Sequence, residues 1–520
     1  MDNSNIKSPL YTSLCIIIGF TLLRALLSTQ FLLAPDETNY WQWSRYLDLG
    51  YHDHPPMIAW TIWLSTKLFG HTAFGVRLPT LIGGAIFSIY TTRLTGQLAG
   101  WRLAPAAALL TQVVLLYNGS ALIATPDGLL LPCWAAACYH AAMALTLRNK
   151  SHWIATGIWF GLGMLSKYTM LLFLPSLFFY MICTPRFRKE LATAWPWAGL
   201  FLGLVLFSPV LIWNWQHEWA TFRHVLYQGG LDDGPFFTLR FVGDFFASQA
   251  ALLSPFLFLF ILILWFYPPM SKNLGKEARA YLCWMSLPGF LIFLLLAFHV
   301  RIYGNWPAPV FTTAIILFLA VFAPPHKKPQ SKWPWRLSLY GGICITLPIL
   351  LQVTYPLLPI PLNLDRTARE TTGWDQLGAI VYKERETMKR PESTFIFGLR
   401  YQYASELAFY TPGNPQTVSI NRWSRPNVYD FWWNDSMLQG QDAIGVFSYR
   451  PMEQQLAGLF QRIDPVKEIN LTRNSPWFGL QNTQKLYLFK GYGFKGGIRW
   501  IPENKNDIRA TRYQTTEQKQ

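Results

Sequence analysis

The feature that most constrains this chain is a repeated one: apolar runs of roughly 20 residues recur from the start to about residue 357, each long enough to cross a hydrocarbon core about 30 Å thick. No water reaches the backbone inside such a core, so each N–H and C=O must be satisfied within the segment, and runs of this length fold as helices. Spans are expected near 9–33, 76–98, 104–123, 127–147, 152–167, 168–184, 195–214, 240–267, 280–299, 306–323 and 337–357, about eleven in all. Only 14% of the 520 residues are charged, against about 25% in soluble proteins, which excludes an ordinary soluble enzyme. The first run follows Lys7 but has no small-residue cleavage site and is followed by more apolar runs, so it reads as an uncleaved first span.

The formal net charge of +16 would suggest a nucleic-acid partner for a soluble chain. Here topology accounts for much of it. Alternate connections carry Lys7, then Arg102, Arg148/Lys150, Arg186/Arg188/Lys189, Lys272/Lys276/Arg279 and Lys327/Lys328/Lys332/Arg336, a bias that places them on the cytoplasmic side. The other connections hold Asp36–Asp53, Thr125-Pro126-Asp127, Ser166-Lys167-Tyr168, residues 214–234 and Arg301–Pro309. The N-terminus is therefore expected inside and everything after the eleventh span outside, which gathers the chemically versatile residues on the extracytoplasmic face. The six cysteines (Cys15, Cys133, Cys138, Cys183, Cys283 and Cys344) all lie in apolar segments and suggest neither a disulfide framework nor a thiolate metal site.

The densest concentration of such residues is Pro35–Pro56. Residues 36–70 read as two interfacial helices broken at Gly50–Pro56, with Trp41, Trp43, Tyr46, Trp60 and Trp63 at the headgroup level. Asp36 opens a helical run, where a carboxylate caps the helix and can equally serve as a general base. Glu37 would point about 100° away, in the position of an orienting partner. In His52-Asp53-His54-Pro55-Pro56 the prolines favour extended geometry, which suits either a solvated loop or a cation site. Lys167 and Arg24 are costly at membrane depth unless they face protein or a cavity, where a phosphate is a natural partner; Arg77 and Arg301 lie nearer the surface. Asp127 reads as a cap or a site residue. Asn305-Trp306 reads as a sugar contact or as part of the aromatic belt.

From about Pro359 the pattern changes. Helices are expected over Trp374–Lys389, Tyr401–Tyr410 and Met452–Ile463, and strands over Ser393–Leu399, Asp442–Tyr449 and Lys485–Lys490. This alternation implies a small α/β or α+β domain over 359–495, following a membrane domain over 1–358. The basic tail 496–520 reads as mobile.

The run Asp36-Glu37 … Tyr40-Trp41-Gln42-Trp43-Ser44 … Gly50-Tyr51-His52-Asp53-His54-Pro55-Pro56 resembles the bacterial branch of the protein mannosyltransferase-like family. Those are polytopic glycosyltransferases of the C-type fold that use a polyprenyl-phosphate-linked sugar. Further matches are Thr125-Pro126-Asp127, Gly161–Thr169, Asn214-Trp215-Gln216-His217 … Thr221-Phe222-Arg223-His224 and Asn305-Trp306-Pro307-Ala308-Pro309. The resemblance implies kinship with the lipid A aminoarabinose transferase and the lipopolysaccharide galacturonosyl and galactosamine transferases. In the aminoarabinose enzyme the position like Asp53 is a glutamate followed by lysine, and its larger span count widens the expected range to between eleven and thirteen.

The resemblance implies roles for the residues above. Asp36, with Glu37, would be catalytic, taking the proton of an acceptor hydroxyl in an inverting displacement. Arg24, His54, Asp127, Lys167 and Asn305 would contact the substrates. Asp53 with His224, or less readily His217, would hold a divalent metal ion beside the leaving phosphate. The implied partners are a polyprenyl-phosphate-sugar donor, an envelope lipid, glycan or protein acceptor, and the bilayer of a bacterial inner membrane, with no nucleic acid. A flippase of a polyprenyl-linked glycan is the rival reading. It would favour charges along both halves of a pathway and repeat symmetry, and the sequence has a one-sided cluster and no visible repeat.

Overall fold

The computed structural model describes residues 4–231, 237–267, 274–323, 332–361, 364–502 and 507–510. Lys272, Lys327, Lys328 and the tail beyond residue 510, all invoked above, lie outside them. The first helix α1 (Ser4–Leu27) leads to two shorter ones, α2 (Pro35–Arg45) and α3 (Met57–Phe69), separated by the irregular stretch 46–56. Then follow α4 (Ala73–Ala99), α5 (Ala104–Val113), α6 (Leu115–Leu122), α7 (Pro126–Leu147), α8 (Lys150–Ser166), α9 (Phe173–Cys183) and the one-turn α10 (Pro185–Arg188). The membrane part continues through α11 (Ala194–Gln216), α12 (Ala220–Gln228), α13 (Arg240–Leu253), α14 (Pro255–Phe266), α15 (Lys276–Trp284), α16 (Leu287–Leu296), α17 (Phe311–Phe322) and α18 (Lys332–Thr354).

The protein is thus a polytopic α-helical membrane protein, but its helices are less regular than the apolar runs suggest. Among the described residues six helices are long and apolar enough to cross a bilayer singly, or up to nine if each bent pair is one span. The expected span at 104–123 breaks by 67° where Val114 adopts extended geometry, and the one at 240–267 is two helices bent by 113°. The second break has a local cause. Ser254 has a φ of 81° and precedes Pro255, which biases it away from helix, and its side chain caps α14 by accepting from the Leu257 N–H. At 17 residues α8 is shorter than the roughly 20 that a span needs.

Small residues set a very close contact between α8 and α11. Gly157 and Gly161 of α8 face Gly199 and Gly203 of α11 so closely that a Cβ on Gly157 would collide with the Gly199 carbonyl. Four-residue spacing of glycines on both partners lets the backbones touch, as is common between membrane helices. Gly161 of the matched motif is therefore accounted for by packing.

After α18 come α19 (Arg366–Thr371), α20 (Trp374–Glu386) and α21 (Tyr401–Tyr410), woven with a sheet of β1 (Thr394–Gly398), β2 (Thr417–Ser419), β3 (Asp442–Phe447), β4 (Phe460–Ile463), β5 (Lys467–Ser475) and β6 (Gly479–Phe494). The strand order is β2-β1-β3-β6-β4, with β5 also on β6. β1 runs parallel to β2 and β3, and β6 is antiparallel to β3, β4 and β5. This is a small α/β domain. The helix expected over Met452–Ile463 stops at Ala457, because Phe460–Ile463 pairs with the far end of β6 and Phe460 is buried in the sheet core.

The domain sits directly on α2. Arg45 donates to the Asn414 and Pro415 carbonyls at 2.9 and 3.1 Å, and the Leu33 N–H donates to the Tyr410 hydroxyl at 2.7 Å. This corrects the expected aromatic belt. Trp41 and Trp43 are fully buried: Trp41 packs edge-on against Phe409 of α21 and Trp43 stacks on Tyr51. A face that reads as interfacial is core because the C-terminal domain covers it. Trp63, at 41% exposure, stays outside.

Candidate active site

Pro35 starts α2 at a position where its missing N–H costs nothing, and Glu37, in the third helical position, reaches back to accept the Ala34 N–H at 2.9 Å. That fixes the two neighbouring carboxylates in different surroundings. Glu37 turns inward. Its oxygens take Arg77 Nε at 2.8 Å and Nη2 at 2.6 Å, plus the Ala124 N–H at 2.9 Å, and both side chains of the pair are 0% exposed. Arg77 spends its remaining donors on the carbonyls of Ser28, Phe31 and Leu32. This closed lock ties α1, α2, α4 and the start of α7 together and leaves Glu37 no open lone pair for a substrate.

Asp36 turns the other way and is exposed, yet protein crowds it closely enough that burial raises its carboxyl above the ordinary range. A group both accessible and desolvated lines a recess. The Tyr401 hydroxyl donates to Asp36 Oδ1 at 3.0 Å and, with the Arg425 charge, partly offsets the rise, while Glu370 and Asp53 add to it. Among the described residues no protein donor takes the second oxygen.

Asp53 lies across the recess. Its Oδ1 is 3.3 Å from Arg425 Nη1, 3.2 Å from His224 Nε2 and 3.5 Å from His52 Nδ1. Burial alone would raise this carboxyl, but Arg425, His224 and His52 together hold it well below the ordinary range. α12 is positioned to deliver His224 because the Thr221 hydroxyl bonds the Tyr51 carbonyl and Trp213 Nε1 bonds Asp48, both across the 46–56 stretch. Burial pushes His52 and His54 each down to about 4, for His54 with help from the nearby Lys167 charge, so both imidazoles are neutral near pH 7.

His52, Asp53 and His224 each offer a ligand atom within 4.8 Å of the others. The Nδ1 atoms of both histidines are buried without a hydrogen-bond partner. Imidazoles with spare nitrogens beside a carboxylate fit a divalent cation. His217 does not join them: its Nδ1 donates to the Trp213 carbonyl and its ring stacks on Trp213.

The remaining expected residues divide into three groups. Lys167 grips both oxygens of Asp127 at 2.8 and 2.9 Å, and Asn305 donates to Asp127 Oδ2 at 2.7 Å. The structure does bring these three together, next to His54, but the Lys167 charge is already paired. Arg24 is buried between helices and donates to Gln112 of α5, which in turn donates to Ser88; it stands in helix packing rather than in the recess. Arg301 is exposed and pairs with Asp244.

Two residues that touch the central carboxylates carried no signal in the N-terminal motifs. Tyr401 opens α21 and Arg425 lies between β2 and the turn at Tyr429; the guanidinium also covers the Tyr401 ring at 5.1 Å. The polar run Asn421–Asn427, with two arginines, is the only local hint of the second.

Comparison with known proteins adds to this geometry. A family model described as dolichyl-phosphate-mannose-protein mannosyltransferase matches residues 53–213. The lipid A galacturonosyltransferase RgtD of Rhizobium johnstonii is 30% identical over 368 residues, 67% of this chain and 71% of that one. The undecaprenyl phosphate-alpha-4-amino-4-deoxy-L-arabinose arabinosyl transferase of Pectobacterium atrosepticum is 26% identical over 57% of this chain and 56% of its own length. The fold is similar to that of ArnT from Cupriavidus metallidurans bound to undecaprenyl phosphate, with a TM-score of 0.60 at 15% identity, covering 91% of this chain and 97% of that one.

Proposed function

This chain belongs to the family of polyprenyl-phosphate-sugar transferases related to the lipid A aminoarabinose and lipopolysaccharide glycosyltransferases, and we propose that its recess transfers a sugar to an envelope acceptor with Asp36 as general base. The donor is a polyprenyl (undecaprenyl) phosphate sugar. The acceptor is a hydroxyl of an envelope glycolipid, lipid A or lipopolysaccharide ahead of other glycans or protein. The protein acts in the bacterial inner membrane, with the N-terminus cytoplasmic and the recess and C-terminal domain extracytoplasmic. The observation that carries the reading is the placement of Asp36, accessible at a helix N-terminus and with one oxygen that no donor among the described residues takes.

The step is a single displacement. The acceptor oxygen attacks the anomeric carbon as its proton passes to the Asp36 carboxylate. The bond from that carbon to the phosphate oxygen breaks, and its electron pair leaves with the polyprenyl phosphate. The new glycosidic bond has inverted configuration. Tyr401 holds Asp36 Oδ1 so that the other oxygen meets the acceptor, which is orientation fixed before the reaction begins. Glu37 acts at one remove, fixing the start of α2 through Arg77. Asp53, His52 and His224 are the residues that would hold a divalent cation, and such an ion would offset the charge developing on the leaving phosphate. His54 and the Asp127–Lys167–Asn305 group wall the phosphate side.

The test is reconstitution of the full chain in liposomes with undecaprenyl-phosphate-linked sugars and lipid A, followed by mass spectrometry. Acceptor gaining one sugar mass together with released undecaprenyl phosphate is the expected result. Donor crossing the bilayer without transfer contradicts the reading.

A further inference from the structure

Away from the recess, the C-terminal domain leaves an apolar surface uncovered. Strands β5 and β6 join through a tight hairpin in which Ser475 pairs with Gly479, and Gly479, at a φ of 64°, supplies left-handed geometry at no steric cost. Turns of this kind usually carry small polar residues. The tip here is Pro476-Trp477-Phe478, with Leu480 just beyond it. Trp477, Phe478 and Leu480 are 62%, 49% and 74% exposed. Among the described residues no buried apolar cluster takes up any of the three; Leu471, Leu486 and Leu488 of the same hairpin fill the domain core instead. A single exposed apolar side chain is ordinary, whereas a cluster marks a surface that is covered in use.

What covers it follows from where the hairpin is fastened. α18 is long and apolar enough to cross a bilayer, and it ends at Thr354. Arg473 of β5, itself buried, donates to the Gln352 carbonyl in the last turn of that helix at 2.6 Å and pairs with Asp365 at 3.3 Å. The Gln352 side chain donates to Asp365 at 2.7 Å and accepts the Leu358 N–H at 2.9 Å. Trp477 Nε1 donates to the Leu357 carbonyl. The tip is thereby held beside the residues that follow a membrane span, and Tyr355, Leu357 and Leu358 there are exposed as well. Neither 474–484 nor 355–364 contains a charged residue, so the two apolar loops offer no ion pair to a charged partner.

We propose that the β5–β6 tip is a membrane-docking surface, with Trp477, Phe478 and Leu480 seated in the headgroup/acyl boundary of the bilayer beside the end of α18. The chemistry suits that layer. Tryptophan collects there because its ring is apolar and its N–H polar. The Leu357 carbonyl already takes the Trp477 N–H, so the ring enters the bilayer with no unmet donor. The buried Arg473–Asp365–Gln352 bracket makes the tip an extension of the span rather than a free loop. The domain that brings Tyr401 to Asp36 therefore has a second hold on the membrane, separate from its contacts with α2.

The experiment uses the wild-type full chain, a single molecule per lipid nanodisc of phosphatidylethanolamine and phosphatidylglycerol, and hydroxyl-radical labelling read by peptide mass spectrometry. The reference is Tyr382, 40% exposed in α20, whose neighbour Glu384 pairs with Lys467 at the opposite end of β5 from the tip. Trp477 and Phe478 are expected to be oxidised several-fold more slowly than their exposure and intrinsic reactivity predict, and Tyr382 at its full rate. A second arm adds phosphatidylcholine carrying a photoactivatable diazirine in the upper acyl chain, about 5–10 Å into the headgroup/acyl boundary. Illumination should place lipid adducts on the tryptic peptide between Arg473 and Lys485 and none on Tyr382. Full-rate oxidation of the tip overturns the proposal. So does protection without lipid adducts, which would mean that protein rather than the bilayer covers the tip.

Discussion

The Tyr401 hydroxyl lies 3.0 Å from Asp36 Oδ1 across 365 positions of sequence. This bond joins the C-terminal domain to the residue that opens the first recess-forming helix, and it bears on the protonation of the proposed base. Burial raises the Asp36 carboxyl; the Tyr401 hydrogen bond acts against the rise. Tyr401→Phe removes a donor that favours the carboxylate, so the carboxyl rises further. A base must be ionised to act, so the acid limb of the kcat/KM profile should move to higher pH, with kcat down about 10-fold. An unmoved acid limb would mean that Tyr401 does not act on the base.

The Glu37–Arg77 pair makes a contrasting prediction. Removing one member of a fully buried pair strands the other charge and costs about 3–5 kcal/mol. Arg77→Met and Glu37→Gln should each lower the thermal unfolding midpoint in detergent sharply, and the double variant should lose less than the two losses added together. Glu406 of α21 lies in the same region. Burial, then the negative charge of Glu37, push its carboxyl well above the ordinary range. Glu406→Gln removes a group whose ionised form its surroundings disfavour and is expected to leave the midpoint unchanged or higher. A loss as large as that of Glu37→Gln would contradict that upward shift.

The histidine–aspartate group is testable by metal content. Purified protein equilibrated with Mn²⁺ or Zn²⁺ and desalted should retain about one ion per chain. Loss of a ligand should cost at least what loss of an outer partner costs, about 10–100-fold in affinity. His224→Ala and Asp53→Asn are therefore expected to release the ion. Retention by both variants would place any bound metal elsewhere.

How far the chain could be read without its structure depends on whether the signal was local. Apolar runs located the helices, and the DE and HDHPP motifs located Asp36, Asp53 and, through the family pattern, His224. Gly50–Pro56 marked the break between α2 and α3. The breaks at Val114 and Ser254 lie inside continuous apolar runs, where hydropathy is blind to a single residue leaving helical geometry. Trp41 and Trp43 read as interfacial because interfacial and core tryptophans look alike until their cover is known. Lys167 and Asp127 were each recognised, but their mutual engagement is a tertiary fact. Tyr401 and Arg425 act through docking of a domain more than 300 residues downstream, which no spacing within the N-terminal motifs encodes.

Asp36→Asn is the most direct test of Asp36 as the base of a direct transfer. The variant keeps an acceptor for the Tyr401 hydroxyl and removes only the capacity to take a proton. Single-turnover transfer from undecaprenyl-phosphate-linked sugar to lipid A is predicted to fall by about 10²–10⁴-fold, with donor binding and the unfolding midpoint retained. A rate within about threefold of wild type, well inside the loss expected for a missing general base, would mean that Asp36 is not the base.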